Sequence, residues 1–267
     1  MVEDKGYTLA TGDSGAYRLQ ILNSIHLPYT EFLLERAGLS KGMRVADIGC
    51  GTGNVSFLMA SKVKISGSVC GVDLSTAQLD IARSQAAVFN LDNVMFAEGS
   101  AYCTRLPKES FDLVYCRFLL IHLNRVLDAL IEMRSLLKPG GLLVCEEADF
   151  CQAFCEPSSQ VHDSCYEMLI GLAKARGQNF CLGIELYEIF QNAGFINPEI
   201  SFVQPVVAGE NKRLIDMSLL EARNALIEAK LTAPDEIDKT AAQLKELALD
   251  KTTLFAIPRV TQIWARK

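Results

Sequence analysis

The sequence predicts an α/β fold with a doubly wound, mostly parallel sheet that carries helices on both faces. Short apolar runs, typical of buried strands, alternate with segments of helical periodicity from about residue 44 to residue 207. The chain has 267 residues, 49% of them hydrophobic, which is enough for one large domain with a substantial core. Repeated strand–helix–strand order predicts a parallel sheet with helices on both faces.

A glycine-rich turn follows the first predicted strand. Residues 45–48 form an apolar run, and residues 47–53 read DIGCGTG before a helical pattern begins. This layout brings backbone N–H groups and a helix N-terminus to a ligand. Gly49, Gly51 and Gly53 permit the turn and the close approach, because a side chain would obstruct both. The spacing is Gly-x-Gly-x-Gly, unlike the Gly-x-Gly-x-x-Gly of dinucleotide-binding proteins.

This turn resembles the first motif of the class I S-adenosylmethionine-dependent methyltransferases. Later features agree with that family in the same order: Asp73 after the second strand, Phe-Asp at residues 111–112 and Lys-Pro-Gly-Gly at residues 138–141. The resemblance covers residues 42–207 well. It implies a Rossmann-like sheet of seven strands with the last strand antiparallel, plus a helical cap. It also implies S-adenosyl-L-methionine as cofactor and S-adenosyl-L-homocysteine as product.

The chain is predicted to comprise a cofactor-binding core and several helical additions. The N-terminal addition is expected to contain one helix that begins near Ser14 and a second that begins at Pro28. By periodicity alone, these helices could simply cover the sheet. The predicted units are a helical arm or cap at 1–40, the core at 41–207 with a cap insertion at about 151–180, a second helical insertion at 208–250, and a strand completing the sheet within 251–267.

The resemblance implies cofactor-binding roles for residues at the strand ends and in the N-terminal arm. Asp73 is expected to accept both ribose hydroxyls, although an acid at a strand end can also cap the next helix. Arg18 would suit the methionyl carboxylate. Relatives usually carry Gly-Asp after the third strand; Ser100 stands there instead, so a carboxylate is missing beside the adenine. The predicted set is Tyr7, Arg18, Asp47, Gly49, Cys50, Gly51, Gly53, Asn54, Asp73, Leu74, Gly99, Ser100, Ala101, Arg117 and His122.

Catalytic residues are harder to predict, because methyl transfer depends mainly on holding the acceptor in line with the methyl group. A base is needed only if the acceptor still holds its proton. The candidates are His122, Glu147 and Tyr166, with His162 also considered. For a lone histidine such as His122, packing within an apolar stretch is an open alternative.

The acceptor is expected to be a small, partly apolar molecule that is methylated on oxygen or carbon. Apolar helical insertions suggest an enclosed pocket. Residues 116–119 read CRFL, so the Asn-Pro-Pro-Tyr or Asp-Pro-Pro-Tyr often carried by N-methylating relatives is missing. The sequence looks most like the branch that includes quinone-biosynthesis and secondary-metabolite enzymes. The alternatives are methylation of a protein side chain or arsenite, and a non-catalytic cofactor-binding scaffold.

Charge and cysteine content predict the surroundings in which the chain acts. A net charge of −6 without a lysine- or arginine-rich run argues against nucleic-acid binding. No membrane-spanning run or signal-peptide core is apparent, so a cytoplasmic monomer or homodimer is expected. Nine cysteines without Cys-x-x-Cys spacing predict reduced thiols and no metal site. Arsenite chemistry would need a thiol cluster, for which Cys151, Cys155 and Cys181 are the candidates.

Overall fold

A computed structural model describes residues 13–267, with side chains from Tyr17 onward. Its strands, in chain order, are β1 (Arg44–Ile48), β2 (Ser68–Asp73), β3 (Val94–Glu98), β4 (Phe111–Arg117), β5 (Leu137–Asp149), β6 (Phe154–Glu156), β7 (Glu199–Val203), β8 (Val206–Val207), β9 (Leu254–Ala256) and β10 (Arg259–Arg266). Seven of these form one sheet in the order β3-β2-β1-β4-β5-β10-β7. Strand β10 is antiparallel to both of its neighbours, and the other pairings are parallel. The predicted fold class, with its antiparallel last strand, is therefore confirmed.

Helices cover both faces of this sheet. They are α1 (Asp13–Ala37), α2 (Asn54–Val63), α3 (Thr76–Val88), α4 (Val126–Leu136), α5 (Gln160–Ala175), α6 (Glu185–Asn192), α7 (Leu214–Glu228) and α8 (Pro234–Leu249). Successive strand residues point to opposite faces, so β1 places Val45 in the core beneath α2 and Ala46 in the core beneath α4 to α8. Because both faces are buried, the central strands are largely apolar, with a few buried polar residues such as Asp47, Glu146 and Glu147.

Strand β10 also completes a buried polar contact at the centre of the sheet. Gln262 donates a hydrogen bond of 3.0 Å to Glu146 on β5, and the hydroxyl of Tyr115 on β4 donates one of 2.6 Å to the other oxygen of the same carboxylate. All three side chains are buried. Strands β4, β5 and β10 are thus joined by side chains as well as by their backbones.

A second layer lies at one end of the sheet. Helices α5, α7 and α8 pack on one another, and β6, β9 and β8 form a small antiparallel sheet beside them. Helix α1 contacts α7 as well as β5. The N-terminal helix and the later insertions therefore meet over the same edge of the main sheet. Among residues 13–267, no helix is both long and apolar enough to cross a membrane.

Two expectations about the chain were wrong. The N-terminal arm contains one continuous helix, α1, with Pro28 inside it, where two helices were expected. Residues on both sides of Pro28, such as Ile25 and Leu33, are buried in the core, and this burial offsets the hydrogen bond that proline removes. The cysteines are not all reduced, since Cys151 and Cys181 form a disulfide.

We expect Gly53→Ala to lower the free energy of unfolding by about 3 kcal/mol. At the start of α2, Gly53 has a φ of 83°, and an added Cβ would lie 2.8 Å from Phe96 Cζ and 2.9 Å from Phe57 Cζ. The substitution therefore adds overpacking, about 1–3 kcal/mol, to left-handed backbone strain of about 1–2 kcal/mol. Urea denaturation of both proteins measures the difference.

Gly140→Ala is the matched control for this prediction. Gly140 has a φ of 75°, but an added Cβ there would meet nothing within 4 Å. This control variant therefore adds backbone strain alone, and its free energy of unfolding should fall by only about 1 kcal/mol. Equal losses in the two variants would mean that the packing against Phe57 and Phe96 contributes nothing.

Candidate functional site

A cavity of about 570 Å³ lies at the carboxyl ends of β1, β2 and β4. Open parallel sheets bind ligands at this edge, and the volume lies within the range of about 300–1,000 Å³ typical of small-molecule sites. Helix α1 covers one side of it. The lining residues are Leu19, Leu22, Asp47, Gly49, Cys50, Gly51, Thr52, Asn54, Val55, Asp73, Leu74, Ser75, Gln78, Gly99, Ser100, Ala101, Tyr115, Arg117, Phe118, Leu119, His122 and Leu123.

The glycine-rich turn between β1 and α2 forms the floor of the large cavity. Gly49 and Gly51 have φ values of 74° and 54°, in the left-handed region that favours glycine. An added Cβ at Gly49 would lie 2.9 Å from Leu119 Cδ1, and one at Gly51 would lie 2.8 Å from Gln78 Oε1. Backbone conformation therefore favours glycine at both positions. Space restricts Gly49 as well, because Leu119 packs against it, whereas the contact at Gly51 is with the flexible end of Gln78. Gly53 lies behind the turn and does not line the cavity.

Asp73 stabilises this turn and lines the large cavity. Its carboxylate accepts the N–H of Gly51 at 2.8 Å and the N–H of Ser75 at 2.9 Å. The side chain of Ser75 is the one that caps α3, since it accepts the N–H of Gln78. Burial raises the pKa of Asp73, and its backbone hydrogen bonds oppose that rise. A carboxylate has about four lone-pair sites, so two backbone bonds leave Asp73 able to accept further donors from a ligand.

Asp47 is a second acid in the lining, at the end of β1. It is buried and accepts a hydrogen bond of 2.5 Å from the hydroxyl of Ser56 in the first turn of α2. Burial raises the pKa of Asp47 to about 6, with the Ser56 hydrogen bond and Arg117 acting in the opposite direction. The contact joins the strand before the glycine turn to the helix after it.

The segment after β3 forms the wall beside Asp73. Gly99 is closely packed, because an added Cβ would lie 2.8 Å from Val72 Cγ1 and 2.9 Å from the Thr104 carbonyl. The Ser100 hydroxyl accepts the N–H of Tyr102 at 3.3 Å. Ser100 and Ala101 line the cavity, and Ser100 brings a hydroxyl to the wall where the family resemblance leads us to expect an acid.

Arg117 joins the end of β4 to the helix that covers the cavity. Its guanidinium donates to the Thr30 hydroxyl and to Asn23 Oδ1 of α1, each at 3.0 Å. The next residue, Phe118, has a φ of 54°, and its N–H donates to the Glu146 carbonyl at 2.8 Å. A left-handed phenylalanine is uncommon and is typical of functional sites. Arg117 and Phe118 both line the large cavity.

A smaller cavity of about 80 Å³ adjoins the large one, and both share Leu22, Phe118 and His122 in their linings. Its wall is largely apolar and rich in aromatic rings. Among the residues that the structure describes, no aspartate or glutamate lines it. The lining residues are Arg18, Leu22, His26, Phe118, Ile121, His122, Ala148, Phe150, Tyr166, Leu169, Phe180, Lys212, Leu214, Ile215, Ser218, Phe255, Ile257, Pro258 and Val260.

Glu147 stabilises the turn that separates the two cavities, and it lines neither of them. Its buried carboxylate accepts the backbone N–H groups of Leu119 at 3.0 Å, Leu120 at 2.8 Å and Ile121 at 3.4 Å. Burial raises the pKa of Glu147 to about 8, although these hydrogen bonds oppose the rise. The side chain of this catalytic candidate therefore binds the backbone of the turn after β4.

The remaining catalytic candidates lie in or beside the small cavity. His122 lines both cavities, and its ring packs edge-on against Phe180 with centroids 5.1 Å apart. Burial lowers the pKa of His122 to about 3, with smaller contributions from Arg18 and Arg176. Tyr166 lines the small cavity, and burial raises its pKa. His162 packs against Tyr166 outside the lining.

Some predicted residues do not meet the others at the large cavity. Arg18 lines only the small cavity and forms a buried ion pair of 2.6 Å with Glu221 of α7. Its placement gives no support to the predicted contact with a methionyl carboxylate. Tyr7 lies outside the described residues. Residues from α1 and from the turn after β4, such as Leu19, Leu22 and Leu119, were missed, because apolar side chains at helical spacing also fit a simple core.

A family model described as a methyltransferase domain matches residues 39–194, which is more than half of the chain. The chain belongs to this methyltransferase family. The match, together with the motifs and the cavity at the glycine turn, identifies a class I S-adenosylmethionine-dependent methyltransferase.

Known proteins resemble this methyltransferase in sequence and in fold. The demethylmenaquinone methyltransferase of Staphylococcus aureus strain JH9 is 29% identical over 202 residues, which cover 68% of this chain and 80% of that protein. The YcgJ protein of Bacillus subtilis has a TM-score of 0.60 at 19% identity, covering 88% and 96% of the two chains. The phosphoethanolamine N-methyltransferase 2 of Haemonchus contortus, solved with S-adenosyl-L-methionine, has a TM-score of 0.55 at 19% identity, covering 99% and 55%.

The lining of the large cavity fits the cofactor of this methyltransferase. Gly49 and Gly51 bring backbone without side chains to the lining at the turn. Asp47 and Asp73 make the lining acidic, which suits a ligand with a positively charged sulfur and two ribose hydroxyls. Arg117 adds a positive charge to the same lining, which is compatible with a ligand that also carries a carboxylate.

We expect His26→Phe to reduce the acid sensitivity of this methyltransferase. Burial, assisted by Arg117, lowers the pKa of His26 from 6.5 to about 3 in the folded state. The unfolded chain therefore binds a proton at this site between pH 6.5 and 3 while the folded chain does not, so stability is lost as pH falls through that window. This linkage lowers the free energy of unfolding by about 2–3 kcal/mol between pH 7 and pH 4.5.

The measurement is urea denaturation at pH 7 and pH 4.5. Over this range the free energy of unfolding of His26→Phe should fall by about 2 kcal/mol less than that of the wild type, because the linkage through His26 is removed. The phenylalanine retains the edge-on packing against Phe118, whose ring centroid lies 4.9 Å away. Ile25→Val, in the same helix, is the control: it should lower stability by about 1 kcal/mol at both pH values. An unchanged pH dependence in His26→Phe would contradict a neutral buried His26.

Proposed function

We propose that this enzyme methylates an oxygen or carbon atom of a small, partly apolar acceptor. The observation that carries the proposal is the small aromatic-lined cavity, which adjoins the large cavity across Leu22, Phe118 and His122. The small cavity, at about 80 Å³, is too small to enclose a whole acceptor on its own. A cofactor in the large cavity would meet, at this boundary, an acceptor whose apolar part reaches into the small cavity. An apolar wall favours an acceptor with apolar or aromatic surface.

The proposed cofactor contacts follow the lining of the large cavity. Asp73 accepts the ribose hydroxyls, and the backbone around Gly49 and Gly51 approaches the methionyl part. Gly99, Ser100 and Ala101 face the adenine, with the Ser100 hydroxyl available for a hydrogen bond. Arg117 is better placed than Arg18 for the carboxylate, because Arg117 lines this cavity and Arg18 does not.

The residues at the boundary favour catalysis by positioning. When bound, S-adenosylmethionine supplies an electrophilic methyl group on a sulfonium. His122 stays neutral because its pKa is lowered to about 3, so its imidazole is a weak base. Tyr166 stays a phenol because burial raises its pKa, so it can donate a hydrogen bond but does not act as a phenolate. The acceptor therefore needs an acidic hydroxyl or carbon, and the enzyme orients that atom toward the methyl group.

A relative supports this class of acceptor. The Staphylococcus aureus protein that shares 29% identity over 202 residues is named for methyl transfer to demethylmenaquinone, a quinone. Arsenite is a weaker candidate, because the structure pairs Cys151 with Cys181 in a disulfide and places the third thiol, Cys155, on β6, 3.2 Å from the Pro157 carbonyl. Methylation of a protein side chain and a role as a non-catalytic scaffold are two further hypotheses. Cofactor titration and acceptor screening distinguish them from small-molecule methylation.

We expect Asp73→Ala to weaken S-adenosylmethionine binding about 100-fold, since each hydrogen bond to a charged group contributes about 1.5–3 kcal/mol. Calorimetric titration with S-adenosylmethionine and S-adenosylhomocysteine measures the change. Asp80→Ala is the matched control, because Asp80 is an exposed acid on α3 that pairs with Arg83 and does not line the cavity. Equal affinities in the two variants would remove Asp73 from the cofactor site.

We expect transfer of a labelled methyl group from S-adenosylmethionine to a phenol or naphthohydroquinone, with 1-naphthol as the first probe. Mass spectrometry and NMR identify the methylated atom as oxygen or carbon. Exclusive transfer to arsenite or to a protein side chain would contradict the proposal. Tight cofactor binding without transfer to any acceptor would favour the scaffold hypothesis.

A further inference from the structure

Two phenylalanines in the wall of the small cavity each directly precede a disulfide-bonded cysteine in the sequence. Phe150 precedes Cys151, and Phe180 precedes Cys181. Both phenylalanines line the small cavity, and their ring centroids are 4.9 Å apart. The disulfide therefore joins the two residues that directly follow these rings in the chain.

The backbone around the disulfide joins the end of β5 to the segment before α6. The N–H of Phe150 donates to the Phe180 carbonyl at 2.8 Å, and Asp149 and Cys181 form an isolated antiparallel bridge. The residues between Cys151 and Cys181 include β6 and α5, so the bond closes a loop with a sequence separation of 30. Residues that are distant in the chain thus form one wall.

The same segment also contacts the boundary between the two cavities. The Gln178 side chain donates to the His122 carbonyl at 2.7 Å, and the Phe180 ring packs edge-on against His122. Gly177 and Gly183, with φ values of 71° and 30°, flank this segment on either side. Positive φ values at glycine mark turns where the backbone changes direction. A shift of residues 178–182 would therefore move both Phe180 and the support beneath His122.

The two residues of the disulfide differ in their exposure to solvent. Cys151 is exposed and Cys181 is partly buried. Solvent access and the identity of the attacked sulfur determine how readily a disulfide is reduced. The exposed side of the bond is therefore the side at which a reductant would act, while the rings that it supports face the cavity.

We propose that the Cys151–Cys181 disulfide is a redox-sensitive clamp that positions Phe150 and Phe180 for ligand binding in the small cavity. The inference rests on the proposed function in one respect, namely that the small cavity takes the acceptor. Reduction of the disulfide releases residues 178–182 from the end of β5. Acceptor binding then weakens, while cofactor binding at the glycine turn is retained.

The reductant is a dithiol. Its first thiolate attacks Cys151 Sγ, the disulfide bond breaks, and the electron pair goes to Cys181 Sγ, which takes a proton. The second thiol of the reductant then attacks the mixed disulfide and releases Cys151, which is protonated in turn. Two electrons and two protons reach the protein, and the dithiol is oxidised to its cyclic disulfide.

Hydrogen exchange with mass spectrometry tests the clamp without an acceptor. The wild type is compared before and after treatment with dithiothreitol, and alkylation verifies its redox state. We expect exchange at Phe150 and across residues 178–182 to rise at least about 10-fold on reduction, since local opening exposes these N–H groups. Exchange across β1 and α2 should stay constant. Unchanged exchange in the 178–182 segment would overturn the clamp.

Binding measurements on the same samples test its effect on the small cavity. We expect reduction to weaken 1-naphthol binding about 10-fold and to leave S-adenosylhomocysteine affinity within about twofold, in keeping with a local opening. Equal loss of both affinities would indicate general destabilisation and overturn a positioning role. If the oxidised protein does not bind 1-naphthol, the proposed acceptor class fails, and hydrogen exchange alone decides whether the disulfide clamps the wall.

Two variants separate the disulfide from the remaining cysteines. Cys151→Ser should behave like the reduced wild type before any treatment and should not respond to dithiothreitol. Cys103→Ser is the matched control, because Cys103 is an exposed free cysteine and should leave the redox response unchanged. A dithiothreitol response that persists in Cys151→Ser would also overturn the proposal.

Discussion

The carboxylate of Glu147 accepts three backbone N–H groups beneath the turn after β4, and the layout of both cavities depends on this contact. The turn places Leu119 against Gly49, and it carries Phe118 and His122 between the two cavities. N–H groups at the start of a short helical turn have no backbone partner, and burying them unpaired would be costly. Glu147 supplies the partner and so stabilises a backbone that includes the left-handed Phe118.

The two cavities differ in electrostatic character, and this difference agrees with their proposed ligands. The large cavity contains two acids beside the glycine turn, whereas the small cavity is apolar, with Arg18 and Lys212 as basic residues in its wall. Lys212 makes hydrogen bonds to Thr253 and to carbonyls near the end of α8, including one of 2.5 Å to Asp250, so it also stabilises the cap. Neutral His122 at the boundary and neutral Tyr166 in the wall of the small cavity are poorly suited to remove a proton. Orientation of the acceptor is therefore the main contribution that these residues can make.

Local sequence predicted the parts of the site that lie close together in the chain. The glycine turn, Asp73 and the Gly99–Ala101 wall all follow strands, and strand ends of a parallel sheet meet at one edge. The small cavity could not be predicted in this way, because its wall combines α1, α5, α7, β5 and β9, which lie far apart in sequence. Glu147 shows the same limit: a carboxylate at a strand end can face a ligand or hold a neighbouring turn, and only the three-dimensional packing decides which. Arg18 was expected at the cofactor, but Glu221, 203 residues further along the chain, pairs with it.

The position of β10 in the sheet has a consequence for synthesis of the chain. Strand β10 follows the other strands of residues 13–267 in chain order, yet it lies between β5 and β7. Until residue 266 has emerged, β5 and β7 have no strand between them, and the buried Glu146 carboxylate lacks the hydrogen bond from Gln262. The β1–β4 half of the sheet can form earlier, because its strands pair only with one another and with β5. The nascent protein therefore exposes an unpaired β5 edge, a surface prone to aberrant strand pairing, from the synthesis of β5 until β10 has emerged.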